Sequence, residues 1–374
     1  MRQDAIHTGP TTYRRATYCD AFFWVAGNAR IGMFTMNNSD ISRRRFICLS
    51  ASGLASVALH KHLAHADESP VWEKQLKVTN AAEVRLLQFT DIHFFRRADI
   101  MPQQEARRRQ MTLDDSRRLI DHAKPDVLLV TGDLWHDNPD GRGAEFMAYA
   151  AEQCAAWGVP WVFTWGNHDR MDDYAVGHVT MAAAENSYYA GADSEGNYVL
   201  SLMSGAGTGL AVIFCLNTRA AGLQKEAHVF VRDAAAALDR RGERPMRLGA
   251  FHIPLRQYQD VWDNGTARGV IGENVCFEEE DSSSLPILRE AGIQTVFCGH
   301  DHVNDYDGLL DGVNMVYGRA TGHNGYGADK LAKGAKLYTL DPARKTVEWV
   351  TVLPNGDTWR PGADTRRDER GVST

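Results

Sequence analysis

The sequence predicts an α/β domain, and three observations carry that prediction. From about residue 84, short β-branched or Leu-rich runs alternate with longer polar stretches of helical spacing. The chain has 374 residues, 44% of them hydrophobic and 24% charged, enough to bury a large core and to exclude disorder as the main state. The strand-like runs also end repeatedly in Asp, Asn, Gly or His, at the edge where open α/β sheets place their ligand crevices.

Residues 1–66 read as an address rather than a fold. Ser42-Arg43-Arg44-Arg45-Phe46-Ile47 precedes a mildly apolar run, Cys48 to Leu59, diluted by Ala, Ser and Gly, the pattern of a twin-arginine export signal. Lys61 and the small-x-small ending Ala64-His65-Ala66 predict cleavage after Ala66, with Met33 or Met36 as the true start. Arg45-Phe46-Ile47 lacks the small residues that a lipid-bearing Cys48 needs. The expected location is periplasmic or extracellular, with the export machinery as a partner. Removing 1–66 takes away eight Lys/Arg and three Asp/Glu, leaving 33 against 45 and a net charge of −12. So acidic a surface offers no broad face for nucleic acid, and beyond the N-terminal region no 18-residue uncharged apolar run provides a stable membrane anchor.

Taken in order, the predicted strands are Val84 to Thr90, Asp126 to Thr131, Trp161 to Trp165, Leu210 to Leu216, Met246 to Phe251 and Thr295 to Cys298. Asn314 to Tyr317 and Lys336 to Leu340 follow, with Thr346 to Val352 closing a hairpin through Asp341-Pro342-Ala343-Arg344. Gln104 to Ala123 and Ala144 to Trp157 are the predicted crossover helices, Gly158 stopping the second. No repeat or linker divides residues 75–353, so 67–353 is taken as one domain and 354–374, rich in Pro, Gly and charge, as a flexible tail. Six cysteines without a CxxC pair predict free thiols, with Cys298 in the core.

The chemistry lies at the strand ends. Five of the ten histidines after residue 66 fall there, in Asp91-Ile92-His93, Asn167-His168-Asp169, His252 and His300-Asp301-His302, while Gly132-Asp133 ends another strand. Asp91 and His93, two residues apart on a β-type backbone, can point the same way. Each motif alone is ordinary, a capped turn or a helix start. Their order and shared strand context are what point to one crevice. Carboxylates gathered there without cations would take up protons. An oxygen and imidazole set without Cys suits Zn, Mn, Fe or Co.

The run DxH, GD, GNHD, H, GHxH over residues 91–302 resembles the calcineurin-like metallophosphoesterase superfamily, in a match covering about 80–353. The resemblance implies an αββα sandwich of two mixed β-sheets flanked by helices, with a binuclear metal site at the C-terminal ends of strands. It implies that Asp91, His93 and His302 bind one metal, that Asn167, His252 and His300 bind the other, and that Asp133 bridges them. His168 matches the histidine that assists the leaving group. His252-Ile253-Pro254-Leu255, His300 to Tyr306 and Gly325-Tyr326-Gly327 look like proteins related to purple acid phosphatases, some of them inactive. Purple enzymes carry a tyrosine three residues after the bridging Asp; here His136 stands in that place, so the tyrosinate colour is not expected. The Asp-Arg-Gly segment of protein Ser/Thr phosphatases is absent, Leu134-Trp135-His136 standing there instead.

Together these features imply an exported phosphoesterase acting on small phosphate esters, with hydroxide from a metal-bound water as nucleophile. The alternatives are a catalytically silent relative that binds phosphate or a partner, or a phosphodiesterase or nucleotidase instead of a monoesterase. Asp137 or Asp169 is expected to orient His168, and Arg319 and His323 stand as phosphate helpers. Arg319 reads equally as a strand-end residue, and Glu278 to Asp281 as a solvated face or a helix start.

Overall fold

The computed structural model describes residues 70–96, 101–242 and 244–371; the export signal, its cleavage site and both candidate start methionines lie outside the described residues. In chain order the elements are β1 (Glu73–Lys77), β2 (Val84–Phe89), α1 (Pro102–Ala123), β3 (Val127–Thr131), α2 (Gly143–Ala156), β4 (Trp161–Thr164), α3 (Tyr174–Ala183), β5 (Tyr198–Met203), β6 (Gly209–Cys215) and α4 (Lys225–Arg240). Then come β7 (Met246–Ala250), α5 (Gln257–Asp263), β8 (Ala267–Ile271), α6 (Ser284–Glu290), β9 (Thr295–Cys298), β10 (Asp305–Leu310), β11 (Val313–Tyr317), β12 (Ala335–Asp341), β13 (Thr346–Val352), β14 (Thr358–Trp359) and β15 (Arg366–Asp368).

The strands form two mixed sheets flanked by helices, the expected layering. The six-stranded sheet runs β14-β13-β12-β2-β3-β4, with β2, β3 and β4 parallel and α1 and α2 as crossovers. The nine-stranded sheet runs β1-β5-β6-β7-β9-β11-β10-β8-β15, with β6, β7, β9 and β11 parallel at its centre. Side-chain alternation separates the layers. On β6, Ala211, Ile213 and Cys215 join the core shared with β2 and β3, whereas Val212 and Phe214 join the core under α4. β3, Val-Leu-Leu-Val-Thr, is buried throughout, as a parallel strand covered on both faces must be.

All nine predicted strands form. Four of them leave the ladder one residue early, before Thr90, Trp165, Leu216 and Phe251, where the chain turns out of the sheet. α1 starts on Pro102, whose missing N–H costs nothing at the first helical position, and ends at Lys124, whose N–H bonds Ile120 O at 2.7 Å. The four described cysteines are free, and Cys298 is buried.

The sequence did not reveal β1, β5, β8, β10 or α3 to α6. In β10, Asp-Tyr-Asp-Gly-Leu-Leu, two acidic residues argue against a strand; folding satisfies them, Asp307 with Arg268 at 2.8 Å and Asp305 with Arg319 at 2.7 Å. The tail is a correction: residues expected to fray supply β14 beside β13 and β15 beside β8. Aromatic anchors hold them there, Trp359 near Trp349 and the Arg366 guanidinium 4.8 Å over the Trp262 ring.

Candidate metal centre

Loops from both sheets build the site. Asp91 and His93 follow β2, Asp133 follows β3 and Asn167 and His168 follow β4, all in the six-stranded sheet; His252 follows β7, and His300 and His302 follow β9, in the nine-stranded one. The seven predicted ligand side chains come together. Asp91, His93 and His302 form one group and Asp133, His252 and His300 a second, the ligand atoms within each lying within 4.8 Å of one another. His302 Nε2 is 3.2 Å from Asp91 Oδ1 and 3.3 Å from His93 Nε2. Asn167 Oδ1 lies 3.0 Å from His252 Nε2. Asp133 Oδ2 faces both groups, 3.6 Å from His93 Nε2 and 3.3 Å from His252 Nε2.

The backbone is bent to achieve this. Asp91, His93, Asp133 and His300 all have left-handed φ, of 54°, 47°, 53° and 78°, at a cost of roughly 1–3 kcal/mol each. Cross-loop hydrogen bonds hold the bends: His93 N to Asp133 O at 2.9 Å, and His300 N to Asp91 Oδ2 at 3.0 Å. Gly132, φ 80°, leaves room for a ligand ring, since a Cβ there would lie 2.5 Å from His252 Cγ. Asp169 accepts from Asp133 N, Leu134 N and Gly166 N at 2.7–2.8 Å, fastening the β3 and β4 loops to each other. Burial and the neighbouring Asp133 charge push its pKa up to about 7. It bonds these amides rather than His168, and of the two carboxylates expected to orient His168, Asp137 is the one that lies beside its ring.

The donor set fits metal ions. Asp91 Oδ1 is buried without a hydrogen-bond partner, while Oδ2 is filled by Thr90 Oγ1 and His300 N. His252 Nδ1 meets Thr131 O at 2.8 Å, and because a carbonyl only accepts, that nitrogen carries the hydrogen and Nε2 faces Asp133. His302 is oriented in the same way by Tyr326 O at 3.3 Å. Burial lowers the proton affinity of His252, yet Asp133 raises its pKa to about 10, a measure of how strongly this carboxylate draws positive charge. Burial opposes the charged form of Asp133 too, but His252 and His168 hold it well below the ordinary carboxylate range. Carboxylate, amide and imidazole donors without thiolate suit Zn, Mn, Fe or Co.

His168 stands beside these groups. Its Nδ1 lies 3.1 Å from Asp137 Oδ1, its backbone N–H donates to Asp133 Oδ1, and its ring stacks on His136 at 3.9 Å. Burial disfavours its proton, but Asp133 and Asp137 outweigh burial and raise its pKa. His136 touches His93, Nδ1 to Nδ1 at 3.1 Å, and burial with the nearby His168 lowers its pKa to about 3.

Two expected phosphate helpers already have carboxylate partners. Arg319 is buried against Asp305 and Ala332 O, and His323 Nε2 is held by Asp115 Oδ2 at 2.7 Å. Glu278, read from sequence as part of a solvated face, instead reaches the site, its Oε1 3.6 Å from His300 Nε2 and 3.4 Å from Cys276 Sγ. Glu280, from the same acidic run, is buried and accepts from Arg256 N and Ser282 N. Tyr326 stacks on His302 at 4.0 Å. Only the Gly325-Tyr326-Gly327 run marks that residue in the sequence.

These features belong to a known class. The chain is a member of the calcineurin-like phosphoesterase family, which matches residues 84–304, more than half its length. It is 25% identical over 344 residues, 80% of this chain and 86% of the relative, to a protein of Arabidopsis thaliana named probable inactive purple acid phosphatase 29. Two solved structures are similar: a dimetal phosphatase from Danio rerio (TM-score 0.47, 11% identity, 72% of this chain and 98% of that one) and the purple acid phosphatase PPD1 from yellow lupin (TM-score 0.45, 14% identity, 77% and 55%).

Proposed function

We propose that the protein hydrolyses phosphate esters at a pair of metal ions, one held by Asp91, His93 and His302, the other by Asn167, His252 and His300, with Asp133 shared. The observation that carries this reading is Asp133 Oδ2, a single buried oxygen facing imidazoles of both groups. When bound, such a pair supplies Lewis acidity toward phosphoryl oxygens and acidifies water. The chain's own residues do the rest. Asp137 accepts the Nδ1 hydrogen of His168 and fixes its tautomer, leaving Nε2 to hold the proton that a departing alkoxide needs. The stacked His136 ring limits how far His168 can swing.

A second reading, phosphate binding without turnover, draws support from the word "inactive" in the names of three Arabidopsis relatives. The two readings separate on metal-loaded and metal-stripped protein offered nitrophenyl phosphate and bis(nitrophenyl) phosphate across pH. Metal-dependent release of nitrophenol from either ester supports the enzyme and ranks monoester against diester. Tight phosphate binding with neither ester cleaved supports the silent relative. With His136 at the position of the purple enzymes' tyrosine, the loaded protein lacks a tyrosinate band.

We also propose export through the twin-arginine segment. Replacing Arg43 and Arg44, or Arg44 and Arg45, by Lys tests it: both pairs leaving secretion unaltered would remove the proposal.

A further inference from the structure

A groove of about 670 Å³ adjoins the metal-ligand cluster, lined by Arg96, Arg107, Arg108, His323, Tyr326 and, as its one carboxylate among the described residues, Asp329. Gly325 brings it up to the rings of two predicted ligands. A Cβ on Gly325, which also lines the groove, would lie 2.5 Å from His302 Cε1 and 3.4 Å from His93 Cδ2, and the Tyr326 ring lies flat on His302. Arg96 comes three residues after His93 and is fixed by its Nη1 bond to Asn324 O at 3.1 Å.

Arg107 and Arg108 stand exposed on α1, which forms the groove's helical wall. The next residue, Arg109, is taken by Glu105, whereas Arg107 and Arg108 form no ion pair among the described residues. His323 is already matched by Asp115. The groove therefore concentrates guanidinium groups on a chain whose net charge after residue 66 is −12, where anions are otherwise repelled. Guanidinium forks match phosphoryl oxygens in geometry and keep their charge at any working pH.

We propose that this groove is a second anion subsite, which receives a phosphoryl group carried on the leaving portion of the substrate, so that the preferred esters bear two phosphates. This rests on the hydrolase reading for the first phosphate and adds the class of leaving group.

The test is calorimetric binding to the metal-loaded full chain carrying His168→Ala to slow turnover, with fructose 1,6-bisphosphate and fructose 6-phosphate as a pair differing in one phosphate. The bisphosphate should bind about tenfold tighter or more. Adding Arg107→Ala and Arg108→Ala should reduce that advantage to about twofold or less while leaving the monophosphate unchanged. Equal binding of the two sugars, binding of neither, or an advantage that survives the double substitution overturns the subsite. If the advantage stands but wild-type protein cleaves no phosphate ester, the hydrolase reading fails and the subsite remains.

Discussion

Two buried clusters of charge lie at strand ends in this chain, and they satisfy themselves in opposite ways. Asp305, at the start of β10, is closed by the chain's own cations: Arg319 Nε at 2.7 Å, Lys336 Nζ, and Thr351 Oγ1 at 2.8 Å, with the Lys336 ammonium 3.6 Å over the Trp349 ring. Asp91 and Asp133 instead face imidazoles, and Asp91 Oδ1 keeps no hydrogen-bond partner. A carboxylate matched by lysine and arginine is finished at folding. One matched by histidines, whose protons can be given up, stays open to a cation from outside. That contrast separates a structural cluster from a functional one without reference to motif.

The contrast can be broken at several points. Asp133→Ala removes the shared oxygen, so elemental analysis should find both metals lost and ester hydrolysis should fall to background; retained metal would mean that the two groups do not depend on Asp133. His168→Ala should keep the metal and lower kcat by about 10²–10⁴, read in the same ester assay. Asp305→Ala should do the reverse, stranding two buried cations and costing about 3–5 kcal/mol in denaturant unfolding while metal bound per folded chain stays constant.

The smallest effect concerns pH. Burial lowers the Lys336 pKa to about 8, with Asp305 offsetting part of that drop. Above pH 8 the unfolded chain holds more of this proton than the folded one, up to the ordinary lysine range, so this group makes stability rise with pH across that window. Lys336→Met should flatten the rise, checked by unfolding midpoints at pH 8 and above.

The same contrast explains which parts of the molecule are legible in the sequence. Strands such as Leu86 to Phe89 and Val127 to Val130 are continuous buried runs that stop at Asp or Gly, so the sheets and the ligand loops can be read locally. Asp137 is a candidate partner for His168 from sequence alone, being four residues past Asp133. The contacts of Glu278 and Tyr326 are not legible, because these residues reach His300 and His302 through loops whose paths no local pattern records. Arg319 misleads: a cation beside the GHxH strand suggests phosphate, but its partner Asp305 lies in a strand that its own charges hide.

Asp133 Oδ2 faces both candidate ligand groups, and spin coupling reads directly whether it joins them. Metal-stripped protein titrated with Mn(II) and followed by electron paramagnetic resonance should take up two ions per chain whose signals are exchange-coupled through Asp133. Uptake of a single ion, or of two magnetically isolated ones, would contradict a centre built on that carboxylate.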